Sequence, residues 1–383
     1  MRTTLWLSPV ALFLRAFGQM LIVSFVPLQL VSTGDHHYVT LGVIYGLPFF
    51  MQLIFAPVWG RLLDRIRRPG IVAAIGFLGY AAMEGGAALS GGQSGILLSL
   101  ALGGVFGAAL SPSAKWLALS RDDGHRTLAL SLRAEAAGWL AGAVLPAILA
   151  ALGRNVFLLL AITSVVTLVC APLFLQVTQA GQTTCRPATV APAGPLRLPA
   201  PVWLLSLGVF LQFLLGEVFY SFYGVYLTHY LGGPLWLYSG SLAATTALGL
   251  LLYGLAARTT KRSGAEPVLI ATSVVYTVSY GLLVLFPSVP MAAAVFSIPA
   301  FSFFRTAATI GFAQAVPNRS GTAMGLLDAA EGLASSVGGP VAGMFVTHFT
   351  LGVLPLLPLG LSVVSSLPLV LARRAFDLRT TAI

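Results

Sequence analysis

The chain is 383 residues long, 57% hydrophobic and only 8% charged, with a mean hydropathy of +0.91, whereas soluble domains carry roughly 25% charged residues. A soluble fold has too little interior to hide that much apolar surface, so the composition excludes one. The net charge of +10 does not point to nucleic acid, because Lys and Arg fall in short breaks between apolar runs instead of clustering on one aromatic-lined face.

A spanning helix needs about 20 mostly apolar residues. Runs of that length predict twelve spans, at 6–31, 39–61, 69–89, 95–117, 127–152, 155–176, 201–231, 235–257, 267–287, 290–315, 320–347 and 351–372. The first follows Met1-Arg2 and is too long for a signal-peptide core of about 7–15 residues, so it reads as a retained helix. Cys170 lies in an apolar run and Cys185 in a break, which gives no disulfide framework.

Basic residues collect on one side of this plan. Arg61, Arg65, Arg67 and Arg68 follow the second span, Arg121 and Arg126 the fourth, Arg258, Lys261 and Arg262 the eighth, and Arg373 and Arg374 the twelfth. Arg2, Lys115, Arg186, Arg197, Arg319 and Arg379 share that side, and Arg154 stands alone on the other. The bias places both termini in the cytoplasm of a cell membrane.

Residues 177–200 contain Pro187, Pro192, Pro195 and Pro199 and cannot form a spanning helix. They read as a cytoplasmic linker between an N-terminal six-helix bundle, 1–176, and a C-terminal one, 201–383. Internal similarity supports a duplication. A shift of 194 sets Gly138 on Gly332 and Pro146 on Pro340, and a shift of 197 sets Trp6 on Trp203, Phe13 on Phe210 and Phe25 on Phe222. The expected fold is all-α and integral to the membrane, with twelve helices in two pseudo-symmetric bundles.

After the second span stands Gly60-Arg61-Leu62-Leu63-Asp64-Arg65-Ile66-Arg67-Arg68-Pro69. It resembles the loop signature of the major facilitator superfamily, G-x-L-x-D-R-x-G-R-[RK], with matches at Gly60, Leu62, Asp64, Arg65 and Arg68. Arg67 replaces a glycine and Pro69 a basic residue. The resemblance implies a secondary transporter working by alternating access, with a substrate cavity between the halves lined by spans one, four, seven and ten, and with Asp64 in a gate. The antiporter signature G-x-x-x-G-P-x-x-G-G is met in span five only by Gly138, Gly142 and a displaced Pro146. Gly339-Pro340-Val341-Ala342-Gly343 in span eleven is closer. These glycines and prolines suit a rocking interface, and equally the small-residue packing of membrane helices. The R-x-x-Q-G signature of drug/proton antiporters, aligned on Gly107, finds Gly103 where its arginine should be. That departure counts against a drug exporter.

Ionisable residues at membrane depth are costly, about 2.5–3.5 kcal/mol each on insertion scales, and seven stand there: Arg15, Arg133, Glu135, Glu217, Arg305, Asp328 and Glu331. Counted at about 1.5 Å per residue, Arg15 and Glu135 share a layer and are expected to pair. Arg133 projects away from Glu135 and either acts separately or reaches the surface. Arg305 lies near the depth of Glu331, and Asp328 shares a face with Glu331. Two carboxylates and one cation form either a coupled proton carrier or a static network. Glu217, flanked by Phe213, Tyr220 and Tyr223, binds solute or the coupling proton in the family's plan, or makes an internal hydrogen bond. Glu84 is placed at headgroup level on the lipid side. His229 and His348 stand at helix ends.

No zincin, nucleophile-elbow or Walker-type motif occurs and no His, Cys or carboxylate cluster has metal spacing, so neither an enzyme nor a metal or other cofactor is expected. The partners implied are a small organic solute, the lipid bilayer and protons, with efflux slightly favoured and the monomer as the family's usual state. Uptake or uniport of a sugar, nucleoside or organic acid is the alternative. Asp64→Asn is expected to slow solute flux in proteoliposomes several-fold at normal expression. Unchanged turnover would remove Asp64 from any gate.

Overall fold

The computed structural model describes residues 6–32, 37–66, 68–90, 92–119, 124–152, 158–175, 200–315 and 320–380. The linker expected at 177–200 lies outside them up to residue 199. The regular elements among the described residues are all helices: α1 Leu7–Ser32, α2 Tyr38–Ile66, α3 Pro69–Leu89, α4 Gln93–Gly107, α5 Leu110–Leu119, α6 Gly124–Ala151, α7 Leu158–Leu175, α8 Ala200–Val225, α9 Leu235–Ser263, α10 Ala265–Leu285, α11 Val289–Ser297, α12 Ala300–Ala315, α13 Ser320–Phe349 and α14 Leu356–Thr380. Eleven stretches among them are long and apolar enough to cross a membrane. α13, which carries Asp328 and Glu331, is not among the eleven.

Two expected spans are broken in the middle. The fourth divides into α4 and α5 after Gly103, Gly104 and Gly107, where the Ala109 amide bonds back only three residues, to Phe106 O at 3.0 Å. The tenth divides into α11 and α12 at Ile298-Pro299. Proline disfavours helical geometry in the residue before it, and Ile298 is extended, with ψ of 121°. The carbonyl of Phe296 is answered from another helix by Thr245 Oγ1 at 2.6 Å. The second span overruns its expected end, because α2 continues to Ile66. Gly60–Ile66, the first seven residues of the signature, therefore form the last turns of a helix. α8 closes in a π-helical turn, Tyr226–Tyr230, with Leu231 N bonded to Tyr226 O at 3.0 Å.

The chain divides into two compact units, Met1–Ala191 and Pro192–Ile383. In the first, α1 packs on α6, α3 on α7 and on α4 and α5, α2 on α4, and α5 on α6. In the second, α8 packs on α13, α10 on α14, α11 and α12, α9 on α11, and α12 on α13. The same pairings recur in the same order, which is the architecture of a parallel repeat.

Helix contacts in the first unit run backbone to backbone. A Cβ at Gly76 would stand 2.7 Å from Leu110 N, and one at Gly79 would stand 2.6 Å from Gly103 O and overlap Gly107 N. Small residues allow such approach where lipid supplies no hydrophobic drive. Gly79→Val must force α3 off α4, at a cost of about 1–3 kcal/mol. A lower melting temperature in detergent is expected, while Gly60→Ala, whose Cβ would meet nothing within 4 Å, leaves it unchanged. Equal melting of the two variants would show that the α3–α4 contact is not tight.

Candidate functional site

In the first unit a single guanidinium gathers four helices. Arg15 on α1 pairs with Glu135 on α6, and their side chains are only 12% and 18% exposed. Arg15 Nη1 donates to Gln19 Oε1 on its own helix and to Gln52 Oε1 on α2, each at 3.2 Å. Tyr80 on α3 closes the ring, accepting from Gln52 Nε2 at 3.2 Å and donating to Gln19 Oε1 at 3.3 Å. Arg15 Nε is buried without a hydrogen-bond partner. Arg133 is exposed on α6 and takes no part in this pair, as its position two residues from Glu135 requires.

In the second unit Arg305 on α12 pairs with Glu331 on α13, and here the side chains are 38% and 27% exposed. The guanidinium carbon lies 5.9 Å from the Phe301 ring centroid, within cation–π range. Asp328, one turn before Glu331, is exposed. Glu217 on α8 accepts a hydrogen bond from Ser335 Oγ on α13 at 2.8 Å, and a Cβ on Gly338 would stand 2.6 Å from Glu217 Cβ. Asp328, Glu331, Ser335 and Gly338 recur at helical spacing, so they form one stripe along α13 that meets Arg305 at one point and Glu217 at another.

These contacts also correct the repeat register of the fifth and eleventh spans. Gly142 approaches Met20 in the first unit, its Cβ position 2.8 Å from Met20 Cβ, and Gly338 approaches Glu217 in the second. Met20 and Glu217 are related by the shift of 197, so the shift for the fifth and eleventh spans is 196, not 194. At 196 Glu135 falls on Glu331. The acid thus keeps its place in both units while its partner changes helix. The counterpart of Arg15 is Gln212, which donates to Leu269 O at 2.9 Å and to Ser273 Oγ.

Gly103 has a physical reason to lack the arginine expected there. A Cβ at this position would stand 2.6 Å from Gly79 O and would overlap Met83. No long side chain fits unless α3 withdraws.

Of the aromatic residues flanking Glu217, Phe213 and Tyr223 are buried within the second unit and Tyr220 is half-buried. Phe213 packs against Phe301 and Phe304, with centroids 6.3 and 4.7 Å away, and Tyr223 stacks on Phe296 at 3.9 Å and shares a 2.8 Å hydrogen bond with Ser241. Gly138 lies against Phe13 O of α1, and Pro146, Gly339 and Gly343 are buried, with Pro340 half-buried. Gly60 is part of α2 and Arg68 is exposed beside α3. The side chains of Asp64 and Arg65 lie outside the described residues.

Sequence reasoning misplaced Glu84. It does not face lipid: it is 0% exposed, with Thr167 of α7 and Gly18 of α1 against its carboxyl. It also passed over Gln19, Gln52, Tyr80 and Ser335. The available signal was spacing, since Arg15 and Gln19, and Tyr80 and Glu84, stand four residues apart on their helices.

Arg15→Ala leaves Glu135 buried and uncompensated, at about 3–5 kcal/mol, so it is expected to reduce membrane yield more than Arg15→Ala with Glu135→Ala. Equal yields of the single and double variants would show the ion pair to be energetically idle.

The family model described as Major Facilitator Superfamily matches residues 10–289. Among solved structures, the nucleoside transporter NupG superposes with a TM-score of 0.78 at 14% identity, covering 98% of this chain and 99% of that one. A bacterial homologue of the human lysosomal transporter Spinster, inward-facing and occupied, gives 0.75 at 14% identity, covering 100% and 97%. Among curated proteins none matches the chain in sequence. With the matched region spanning most of the chain and reaching into both units, the protein belongs to the major facilitator superfamily, a multi-pass membrane transporter and not an enzyme.

Proposed function

We propose that this secondary transporter moves a small polar organic solute by alternating access, coupled to protons through the stripe on α13. The observation that carries the reading is the line Asp328, Glu331, Ser335 with Glu217 docked on it and Arg305 at its other end. Three carboxyl groups stand along it, and its one cation, Arg305, pairs with Glu331. Carboxyl groups at membrane depth are the usual carriers of a coupling proton. The partial exposure of Arg305 and Glu331 lets solute or water compete for the guanidinium, which the more enclosed Arg15–Glu135 pair resists.

Ser335 Oγ holds Glu217 at 2.8 Å, and Glu331 stands one helical turn away on the same face of α13. Arg15 and Glu135, with Gln19, Gln52 and Tyr80, hold the helices of the first unit together, and Arg133 is exposed on α6. The Gly339-Pro340 pattern favours efflux. Uptake of a sugar, nucleoside or organic acid is the second reading, favoured by Gly103, where packing excludes the arginine of the exporters' signature. The protein works as a monomer in the cell membrane with both termini in the cytoplasm, the side on which its basic residues collect.

Proteoliposomes with an internal pH dye, challenged with pools of sugars, nucleosides, organic acids and lipophilic cations, test the reading. Solute-dependent proton flux in the wild type, lost in Glu217→Gln while labelled solute still equilibrates, is the expected result. Solute movement without proton flux in either protein would make the carrier a uniporter or couple it to another ion.

A further inference from the structure

One buried carboxyl group has no part in the coupling stripe. Glu84 is enclosed on α3 between α1 and α7. Its Oε2 lies 3.0 Å from Thr167 Oγ1. Its Oε1 is buried without a hydrogen-bond partner and presses on α1 at Gly18, where the glycine leaves room that any Cβ would fill.

No cation among the described side chains answers Glu84. α1 carries only one ionisable residue, Arg15, committed to Glu135. α4 carries none, and α7 carries only Cys170, beyond Thr167. α5 carries Lys115, near the opposite end of α3, where Leu110 meets Gly76. α2 brings Gln52 to Tyr80, one turn below Glu84 on α3, with Tyr38 and Tyr45 toward its start and Arg61, Asp64 and Arg65 in its last turns.

Hydrogen bookkeeping decides the form of the acid. Thr167 has one hydroxyl hydrogen and three acceptors within reach: Glu84 Oε2 at 3.0 Å, Thr163 O at 2.9 Å and Ser164 O at 3.0 Å. If Glu84 is a carboxylate, that single hydrogen must serve it, and the buried charge has one hydrogen bond and no counter-ion. If Glu84 is the neutral acid, its Oε2 hydrogen goes to Thr167 Oγ1 and the threonine hydrogen goes to its own helix. The Oε1 left over is then an uncharged carbonyl oxygen, which costs far less to bury unpaired than a carboxylate oxygen does.

We propose that Glu84 is a proton-binding site of the first unit: a neutral carboxylic acid that donates from Oε2 to Thr167 and ties α3 to α7. Loss of the proton to entering water reverses that hydrogen bond and leaves a bare anion against Gly18, so deprotonation favours any state in which α1 moves off α3. The site is separate from the α13 stripe and stands or falls without it.

Infrared spectroscopy of the protein in nanodiscs, without solute or proton gradient, reads the site directly. The measurement is made around pH 7, roughly three units above the ordinary glutamic acid value. A protonated-carboxyl carbonyl band is expected in the wild type and its loss in Glu84→Gln, with a slow shift on transfer to heavy water. Thr167→Val keeps the band but moves it to higher frequency, since the acid loses its acceptor; this variant decides the matter if Glu84→Gln fails to fold. Identical carbonyl regions in wild type and Glu84→Gln, or no movement in Thr167→Val, would overturn the proposal. A negative transport assay with Glu217→Gln would leave these bands untouched, so the two readings fail separately.

Discussion

A guanidinium inside an apolar bundle must be answered by a carboxylate, and the helices that supply the two are bound to each other by that demand. Charges at membrane depth are too costly to leave alone, and breaking a pair costs more than never having made it. Arg15 and Glu135 therefore fix α1 on α6, and the remaining donors of Arg15 draw in α2 through Gln52. Tyr80 then brings α3 to the same point. One cation sets the register of four helices in the first unit.

The second unit meets the same demand differently. Its acid, Glu331, holds the register of Glu135, but the arginine comes from α12 and not from α8, whose equivalent position is the neutral Gln212. α8 and α13 are joined instead by Glu217 and Ser335. The duplicated plan thus preserves where the acid stands and leaves the source of the cation free. In the first unit Gly103 of the fourth span could not have supplied it, because it lies against the backbone of α3 and an arginine there is incompatible with that approach. Close glycine packing and the placement of charge are linked choices.

Most of the expected spans were readable because hydropathy over about 20 residues is a strong signal in a chain with few charges, and eleven stretches among the described residues are long and apolar enough to cross a membrane. Depth counting also put Arg15 beside Glu135 and Arg305 beside Glu331, since the rise per residue of a helix is fixed. What could not be read depended on rotation about the helix axis. Glu84 was assigned to the lipid side because its depth was known and its azimuth was not. The breaks at Ala108–Ala109 and Ile298-Pro299 were hidden inside runs apolar enough to pass as single spans, although Pro299 was a visible reason for the second. Gly138 and Gly332 suggested a shift of 194 by identity alone, and only contacts with Met20 and Glu217 showed it to be 196.

The irregular backbone of the second unit follows the same rule as its charges. Within lipid, a carbonyl released from a helix needs another donor. Thr245 provides one for Phe296 where the tenth span breaks, and the amide of Gly233 provides one for Leu227 O beside the π-helical turn that ends α8. Phe296 then lies flat on Tyr223 at an interplanar angle of 2° and near Tyr220, with centroids 5.8 Å apart, so the break is held by ring contacts as well as by a hydrogen bond. Neither feature is a defect in an otherwise regular bundle. Each is confined to a place where a hydroxyl, an amide or an aromatic face already stands ready, and that confinement lets the backbone of the second unit leave regular helical geometry while Phe296 O and Leu227 O keep donors.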